Sequence, residues 1–207
     1  LPVEFENAYK QSDAIVLETK LPDPQDQAAQ MALLQRLSYS DGKRLSHVLS
    51  KETYNSLGEY LAEFGANVKE LDGFKPGFII SMVAMMEAQR AQLAGEGVDA
   101  YFNKKAASES KPIEYLESLE FQLDMLANMG KDNEDTLIRS TLNQMSSFKE
   151  MFTALLPAWR AGDMKKIDDL MIKPVAEEDP ATFKTLFTDR NMNWVPLIEK
   201  MFEDQDR

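Results

Sequence analysis

The chain has 207 residues, of which 43% are hydrophobic and 28% are charged, a balance typical of a folded protein rather than a disordered one. Its 35 acidic residues outnumber its 23 basic residues, and the net charge of -12 disfavours binding to the phosphates of nucleic acids. The absence of cysteine excludes disulfides, thiol nucleophiles and zinc–thiolate sites.

The first third of the chain predicts one strand among helices. Residues 3–10 contain good helix formers, and residues 14–17 form a short apolar run that predicts a buried strand. Residues 25–37 are predicted to form the next helix. Ser50 is a candidate N-cap for a helix that ends at Gly65.

The middle of the chain predicts a second strand, again between helices. Pro76 suits the first turn of a helix whose apolar residues continue to Gly95. A helix over residues 98–107 follows. The apolar residues within 112–116 then predict another buried strand.

The last part of the chain is predicted to be helical throughout. An apolar stripe indicates one long helix over residues 132–161, which Pro157 should kink or shorten near its end. The stretches with the least regular pattern are residues 20–27 and 173–179. Three more helices are predicted, over residues 163–172 with Asp163 as cap, from Asp179-Pro180 onward, and over residues 191–202.

Two strands are too few for an independent sheet, which leaves two interpretations. Either the domain is nearly all helical, or strands outside the given residues complete a small sheet. The second is favoured because both strands are predicted to be buried. We therefore predict a predominantly helical α/β fold, with residues 1–207 as one domain cut at both ends. No apolar run approaches the roughly 20 residues of a membrane span, so none is expected.

The usual catalytic motifs are missing. The sequence contains no Gly-rich phosphate loop and no G-x-S-x-G elbow. His47 is the only histidine, which excludes a catalytic triad or a two-histidine metal site within these residues. Its own context is typical of a surface or helix-end residue.

Two glutamates stand at the ends of the predicted strands. Glu18 is at the carboxyl end of the first strand, and Glu117 lies just past the second. Open α/β sheets bind ligands outside the carboxyl ends of their strands, so the two carboxylates indicate a metal site or an acid–base pair. The simpler interpretation is that both glutamates are solvated.

Arg190-Asn191 is the second candidate, predicted at a turn between two helices. Arg190 there would clamp a carboxylate or stabilise a developing negative charge. Equally, it would cap a neighbouring helix. Trp159 and Trp194 are expected to be core anchors.

Short segments along the chain form one further pattern through their order and spacing. They are Leu1-Pro2 with residues 13–18, Lys75-Pro76, residues 97–102 leading to Ala106, Lys111-Pro112-Ile113 with Leu116-Glu117-Ser118 and Gln122, residues 159–163, and Arg190-Asn191 with Trp194. Together these segments cover nearly the whole chain and resemble the TraB/GumN/Tiki family. The resemblance implies an α/β core with a large helical part. Animal Tiki members are metal-dependent proteases of secreted signalling proteins.

The resemblance also implies a metal site. The family holds a divalent metal, manganese or cobalt-like, with two G-x-x-H motifs, one near each end. Neither motif is present, so residues 1–207 are expected to be a central portion that binds no metal by itself and is inactive. Glu18 matches the family's acidic, metal-binding position. Arg190-Asn191 match the Arg-Asn pair near the end of the family's pattern, and Glu117 matches the glutamate of its Leu-Glu dipeptide. His47 matches no motif of the family.

The hypothesis for the intact protein is metal-assisted hydrolysis of a peptide or protein substrate. The candidate catalytic residues are Glu18, Glu117, Arg190 and Asn191, with the ion polarising the carbonyl and Arg190 steadying the oxyanion or the substrate carboxylate. The alternative is a non-catalytic helical module that binds peptides or regulates, which the 12 methionines would suit. Bacterial GumN-like members commonly look exported, so a periplasmic or otherwise extracytoplasmic location is expected.

Overall fold

The computed structural model describes residues 1–20, 22, 25–178 and 180–203, apart from the side chains of residues 178, 181 and 182. Helices predominate, which confirms the predicted class of a mainly helical α/β fold. No described helix combines the length and apolar character needed to cross a bilayer. In chain order the elements are α1 (Val3–Gln11), β1 (Ile15–Leu17), α2 (Gln27–Arg36), α3 (Leu45–Val48), α4 (Lys51–Ala62), α5 (Pro76–Arg90), α6 (Val98–Glu109), β2 (Ile113–Tyr115), α7 (Leu119–Asn128), α8 (Glu134–Met145), α9 (Phe148–Ala161), α10 (Met164–Ile167), a π-helical segment (Asp168–Ile172), α11 (Lys173–Glu178), α12 (Pro180–Phe183), a second π-helical segment (Lys184–Thr188) and α13 (Asp189–Glu203).

The two strands form one parallel pair. Ile15 lies opposite Ile113, and Leu17 lies opposite Tyr115. Within the described part of the chain, no third strand joins them. Leu17 is the one buried residue of the two strands, whereas Val16 is 43% exposed, so the expected burial of both strands is wrong.

The chain divides into two compact units, and the first contains both strands. It comprises residues 1–20, residues 96–118 and the described residues from 151 onward. Tyr9 of α1 packs against Phe102 and Ala106 of α6, and all three are buried. Because α6 also contacts β1 and β2, this small core supports the strand pair from one side.

The second unit comprises the described residues of 22–95 and 119–150 and is helical. Ser50 caps α4 as predicted, since its side chain accepts a hydrogen bond from the Thr53 backbone N–H at 3.1 Å. At Gly77, an added Cβ would lie 1.9 Å from the backbone oxygen of Leu126, so α5 and α7 approach closely. The buried apolar core of this unit consists of Leu45, Leu49, Leu57, Leu61, Ile79, Val83 and Ile138.

The single long helix predicted over residues 132–161 is wrong, because α8 and α9 are separate. Ser146 and Ser147 lie between them. The Ser146 hydroxyl donates to the Asn143 carbonyl at 2.7 Å, and that of Ser147 donates to the Gln144 carbonyl at 3.2 Å. Serine hydroxyls that bond to nearby backbone compete with the helical hydrogen bonds, which is why the helix stops here. Pro157 lies inside α9 without ending it.

Other helix boundaries also differ from the predictions. α5 ends at Arg90 rather than at Gly95, and Gln92 follows with φ of +57°, outside the helical region. The helices α3 and α7 were not predicted, and α11 occupies a stretch that was expected to be irregular. A helix was predicted to start at Asp179-Pro180. Asp179 lies outside the described residues, and α12 begins at Pro180.

Candidate functional site

Glu18 and Glu117 lie side by side at the carboxyl edge of the strand pair. Glu18 directly follows β1, and the backbone N–H of Glu117 donates to the Glu18 carbonyl at 2.8 Å. The same ladder joins the Leu116 N–H to the Leu17 carbonyl at 3.0 Å. The parallel pairing therefore continues past both strands and brings the two predicted glutamates to neighbouring positions.

Arg190 bonds to both carboxylates. Its Nε donates to Oε1 of Glu117 at 2.7 Å, and its Nη2 donates to Oε2 of Glu117 at 2.8 Å. The same Nη2 donates to Oε2 of Glu18 at 2.8 Å. Three of the five N–H donors of the guanidinium are thus used by the two glutamates. The two-point contact with Glu117 is the strong form of an arginine–carboxylate pair.

The cluster is buried at one end and open at the other. The side chains of Glu117 and Arg190 are 5% and 12% exposed, whereas that of Glu18 is 46% exposed. Hydrogen bonds to Glu117 raise the pKa of Arg190 most, burial lowers it, and the hydrogen bond to Glu18 raises it further. The arginine is therefore held charged, and Glu18 is the member of the trio most exposed to solvent.

Trp194 also belongs to the cluster, although the sequence predicted only a core anchor. Its indole Nε1 donates to Oε1 of Glu117 at 2.9 Å. The guanidinium carbon of Arg190 lies 4.9 Å from the centre of the Trp194 rings, within the range of a cation–π contact. With Arg190 in the helix, the spacing fits this role, because residues four apart share one face of a helix.

The predicted setting of Arg190 at a turn is wrong. Arg190 is the second residue of α13, which follows the π-helical segment Lys184–Thr188 without a break. Asn191 is exposed, and no described hydrogen bond involves its side chain. The structure therefore places Arg190 in the cluster and leaves Asn191 outside it.

Asp99 is a further carboxylate near this edge, and the sequence did not assign it a role. It lies in the first turn of α6 and is exposed. Desolvation raises the pKa of Asp99, and the negative charge of Glu18 raises it further. The charges of Asp99 and Glu18 therefore act on one another.

Residues 1–207 match the model of the TraB/PrgY/gumN family. The chain belongs to this family. The resemblance predicted from the order of its short segments is thereby confirmed. No curated protein and no solved structure matches the chain.

The divalent metal implied for the TraB/PrgY/gumN chain can be tested against the donors at this edge. Glu117 already accepts hydrogen bonds from Arg190 and Trp194, and Glu18 accepts one from Arg190. Across residues 1–20, 22, 25–178 and 180–203, no group of three or more His, Cys, Asp or Glu side chains is arranged to hold a metal ion. His47 is exposed in α3, in the second compact unit. The described side chains thus do not make up a metal site by themselves.

Proposed function

We propose that the protein hydrolyses peptide bonds and that the carboxyl edge of β1 and β2 is part of its active site. The proposal is carried by the buried Arg190–Glu117 pair, which holds the exposed Glu18 where open α/β sheets bind their ligands. A buried ion pair stabilises a fold little more than apolar side chains of similar volume would. Its presence at a strand edge therefore favours a functional role. The resemblance to the TraB/GumN/Tiki family, whose animal Tiki members are metal-dependent proteases, supports the same reaction.

The members of the cluster have different roles in this proposal. Glu18, which substrate can reach, accepts a proton from the attacking water. Arg190 acts as a positioning residue, because its hydrogen bond at 2.8 Å orients the Glu18 carboxylate. Glu117 and Trp194 fix the guanidinium in turn. This differs from the predicted substrate clamp, since most of the donors of Arg190 already serve the protein.

A manganese or cobalt-like ion enters the proposal only through Glu18. This carboxylate is the most exposed one of the trio, and further ligands would have to come from outside the described residues. The roles given to Glu18 and Arg190 need no ion.

The proposal is tested by incubating the complete natural protein with a defined peptide mixture and identifying products by mass spectrometry. Glu18→Gln should lower the rate by about 10²–10⁴-fold, the range typical of losing a general base. Glu59→Gln, which removes an exposed carboxylate on α4, is the control and should leave the rate unchanged. Equal rates for wild type and Glu18→Gln would remove Glu18 from the reaction. Parallel reactions with EDTA, and with added Mn²⁺ or Co²⁺, test the ion separately.

The alternative prediction, a peptide-binding or regulatory helical module, has a different outcome in the same experiment. Peptides would bind, as measured by fluorescence anisotropy, but would not be cut. The extracytoplasmic location expected from the resemblance stays a prediction, which fractionation of the native cells would test.

A further inference from the structure

A cavity of about 340 Å³ lies between the starts of α1 and α6, within the first compact unit. Leu1 and Glu6 line it on the side of α1, and Glu96, Val98 and Tyr101 line it on the side of α6. Ligand pockets in proteins usually measure about 300–1,000 Å³. The cavity is therefore large enough for one long side chain of a bound peptide.

The direction of α6 brings its start, and with it the cavity, to the side of the unit where Glu18 lies. The end of α6 leads into β2 through three residues, and the Ile15 N–H donates to the Pro112 carbonyl at 3.0 Å where both strands start. The 12 residues of α6 span about 18 Å, while a three-residue strand spans about 10 Å. Because α6 packs on both strands and ends at their amino ends, its first turn lies near their carboxyl ends. In agreement, the charge of Glu18 acts on Asp99 in that turn.

Hydrogen bonds between α1 and α6 fix the walls of the cavity. The Tyr101 hydroxyl donates to Oε1 of Glu6 at 2.6 Å. Further along both helices, the Tyr9 hydroxyl donates to Oε2 of Glu109 at 2.8 Å, so α1 and α6 run side by side in the same direction. Lys105 pairs with the other oxygen of Glu6. The charge of Glu6 is therefore compensated within the protein, and the Tyr101 ring is held in place as an apolar wall.

Glu96 is the less constrained of the two carboxylates in the cavity. Its side chain is 41% exposed, and its described partner, Lys104 at 2.7 Å, is itself 76% exposed. Such surface pairs stabilise a protein little, so a cation of the ligand can replace Lys104 at small cost. Within the described part of the chain, no lysine or arginine lines the cavity, and the net charge of -12 attracts cations.

We propose that this cavity binds an arginine or lysine side chain of the peptide substrate, with Glu96 as the partner of its charge. The proposal rests on the proposed hydrolysis of peptide bonds. Arginine and lysine pack an apolar stem against apolar surface and keep a charged head in a polar setting. Leu1, Val98 and the Tyr101 ring enclose the stem. Glu96 accepts hydrogen bonds from the guanidinium or ammonium group. An acidic side chain in the same place would be repelled by Glu96 and Glu6.

Two peptides that differ only in the charge of one side chain test this proposal. Mapping the cuts that the complete natural protein makes in a defined peptide mixture identifies the position at which arginine or lysine is preferred. Peptides with lysine or with norleucine at that position are then compared, and the ratio of their kcat/KM values measures selectivity for the charge. Glu96→Gln should lower this ratio by about 10–100-fold, the loss expected for hydrogen bonds to a charged group. Glu4→Gln, an exposed change on α1 outside the cavity, is the control and should leave the ratio unchanged.

A second variant separates the charge of Glu96 from its surface pair. Lys104→Ala removes the competing cation and should keep or raise the ratio. A fall as large as that of Glu96→Gln would show that the pair, rather than the charge of Glu96, sets the selectivity, and would overturn the proposal. Cuts without any preference for arginine or lysine would overturn it as well, and so would a wild-type ratio in Glu96→Gln.

Binding without cleavage distinguishes the cavity from the reaction. In Glu18→Gln, the labelled lysine peptide should bind more tightly than the norleucine peptide, as measured by fluorescence anisotropy, and adding Glu96→Gln should remove the difference. A preference for the lysine peptide in a wild-type protein that cuts neither peptide would refute the proposed hydrolysis while leaving the ligand of the cavity in place. Cleavage of both peptides with equal binding would refute the role of the cavity and leave the hydrolysis.

Discussion

Replacing Arg190 by methionine should destabilise the first compact unit strongly. The change keeps a long side chain but removes the guanidinium that pairs with Glu117, a carboxylate that is 5% exposed. Three hydrogen bonds of 2.7 to 2.8 Å disappear together. Breaking a buried pair by removing one partner costs about 3–5 kcal/mol, because the remaining charge stays buried without its counter-charge.

The size of the effect depends on the uncompensated charge, and two further variants isolate it. The double change of Arg190→Met with Glu117→Met should recover stability to within about 2 kcal/mol of wild type, since an apolar pair of similar volume replaces the ions. Glu18→Gln should cost only about 0–1 kcal/mol, because that end of the cluster is 46% exposed. Arg36→Met, which breaks the exposed ion pair with Asp124 in the second unit, is the matched control and should cost about as little.

Urea unfolding followed by tryptophan fluorescence measures these differences where they arise. Both tryptophans, Trp159 and Trp194, lie in the first unit, so their emission reports on that unit. Far-UV circular dichroism follows the helices of both units and provides the value for Arg36→Met. If Arg190→Met cost less than about 1 kcal/mol, or if the double variant were no better than the single one, the buried pair would not be what holds α13 to the strand edge.

Two further substitutions test close packing and an unpaired hydroxyl. Gly77→Ala should destabilise the second unit by several kcal/mol, because its Cβ would meet the rigid backbone oxygen of Leu126 at 1.9 Å. Gly73→Ala is the control, since a Cβ at Gly73 would meet nothing within 4 Å. Equal melting temperatures of the two variants, measured by circular dichroism, would contradict the close approach of α5 and α7. Thr19→Val should be neutral or raise the free energy of unfolding by up to about 1–2 kcal/mol, because the threonine hydroxyl is buried without a partner among the described residues. A clearly lower free energy of unfolding in urea would show instead that the hydroxyl is hydrogen-bonded in solution.

Local signals in the sequence predicted much of the fold. The strand before Glu18, the strand before Glu117 and the cap at Ser50 each depend on a few neighbouring residues, and each is found in the structure. The break at Ser146 was missed because the apolar spacing continues across it, and spacing alone does not show that a hydroxyl will bond to the backbone.

The candidate site was predicted less completely, because its contacts join distant parts of the chain. Glu18 and Glu117 could be placed together by the rule for strand ends, but the burial of Glu117 depends on Arg190, 73 residues later. The role of Trp194 follows only once Arg190 is known to be in a helix rather than at a turn.

The π-helical segment Lys184–Thr188 accommodates one extra residue before α13 with little effect on the direction in which that helix faces. A π-helix winds more residues into each turn than the α-helix that follows it. Each residue of an α-helix turns the chain by about 100°. Deleting one residue of this segment, with its hydrogen bonds reverting to the α pattern, would therefore leave Arg190 and Trp194 facing Glu117. Deleting one residue of α12 instead, with the π turn kept, would turn both side chains away from Glu117 by about that angle, although no residue of the cluster had been substituted.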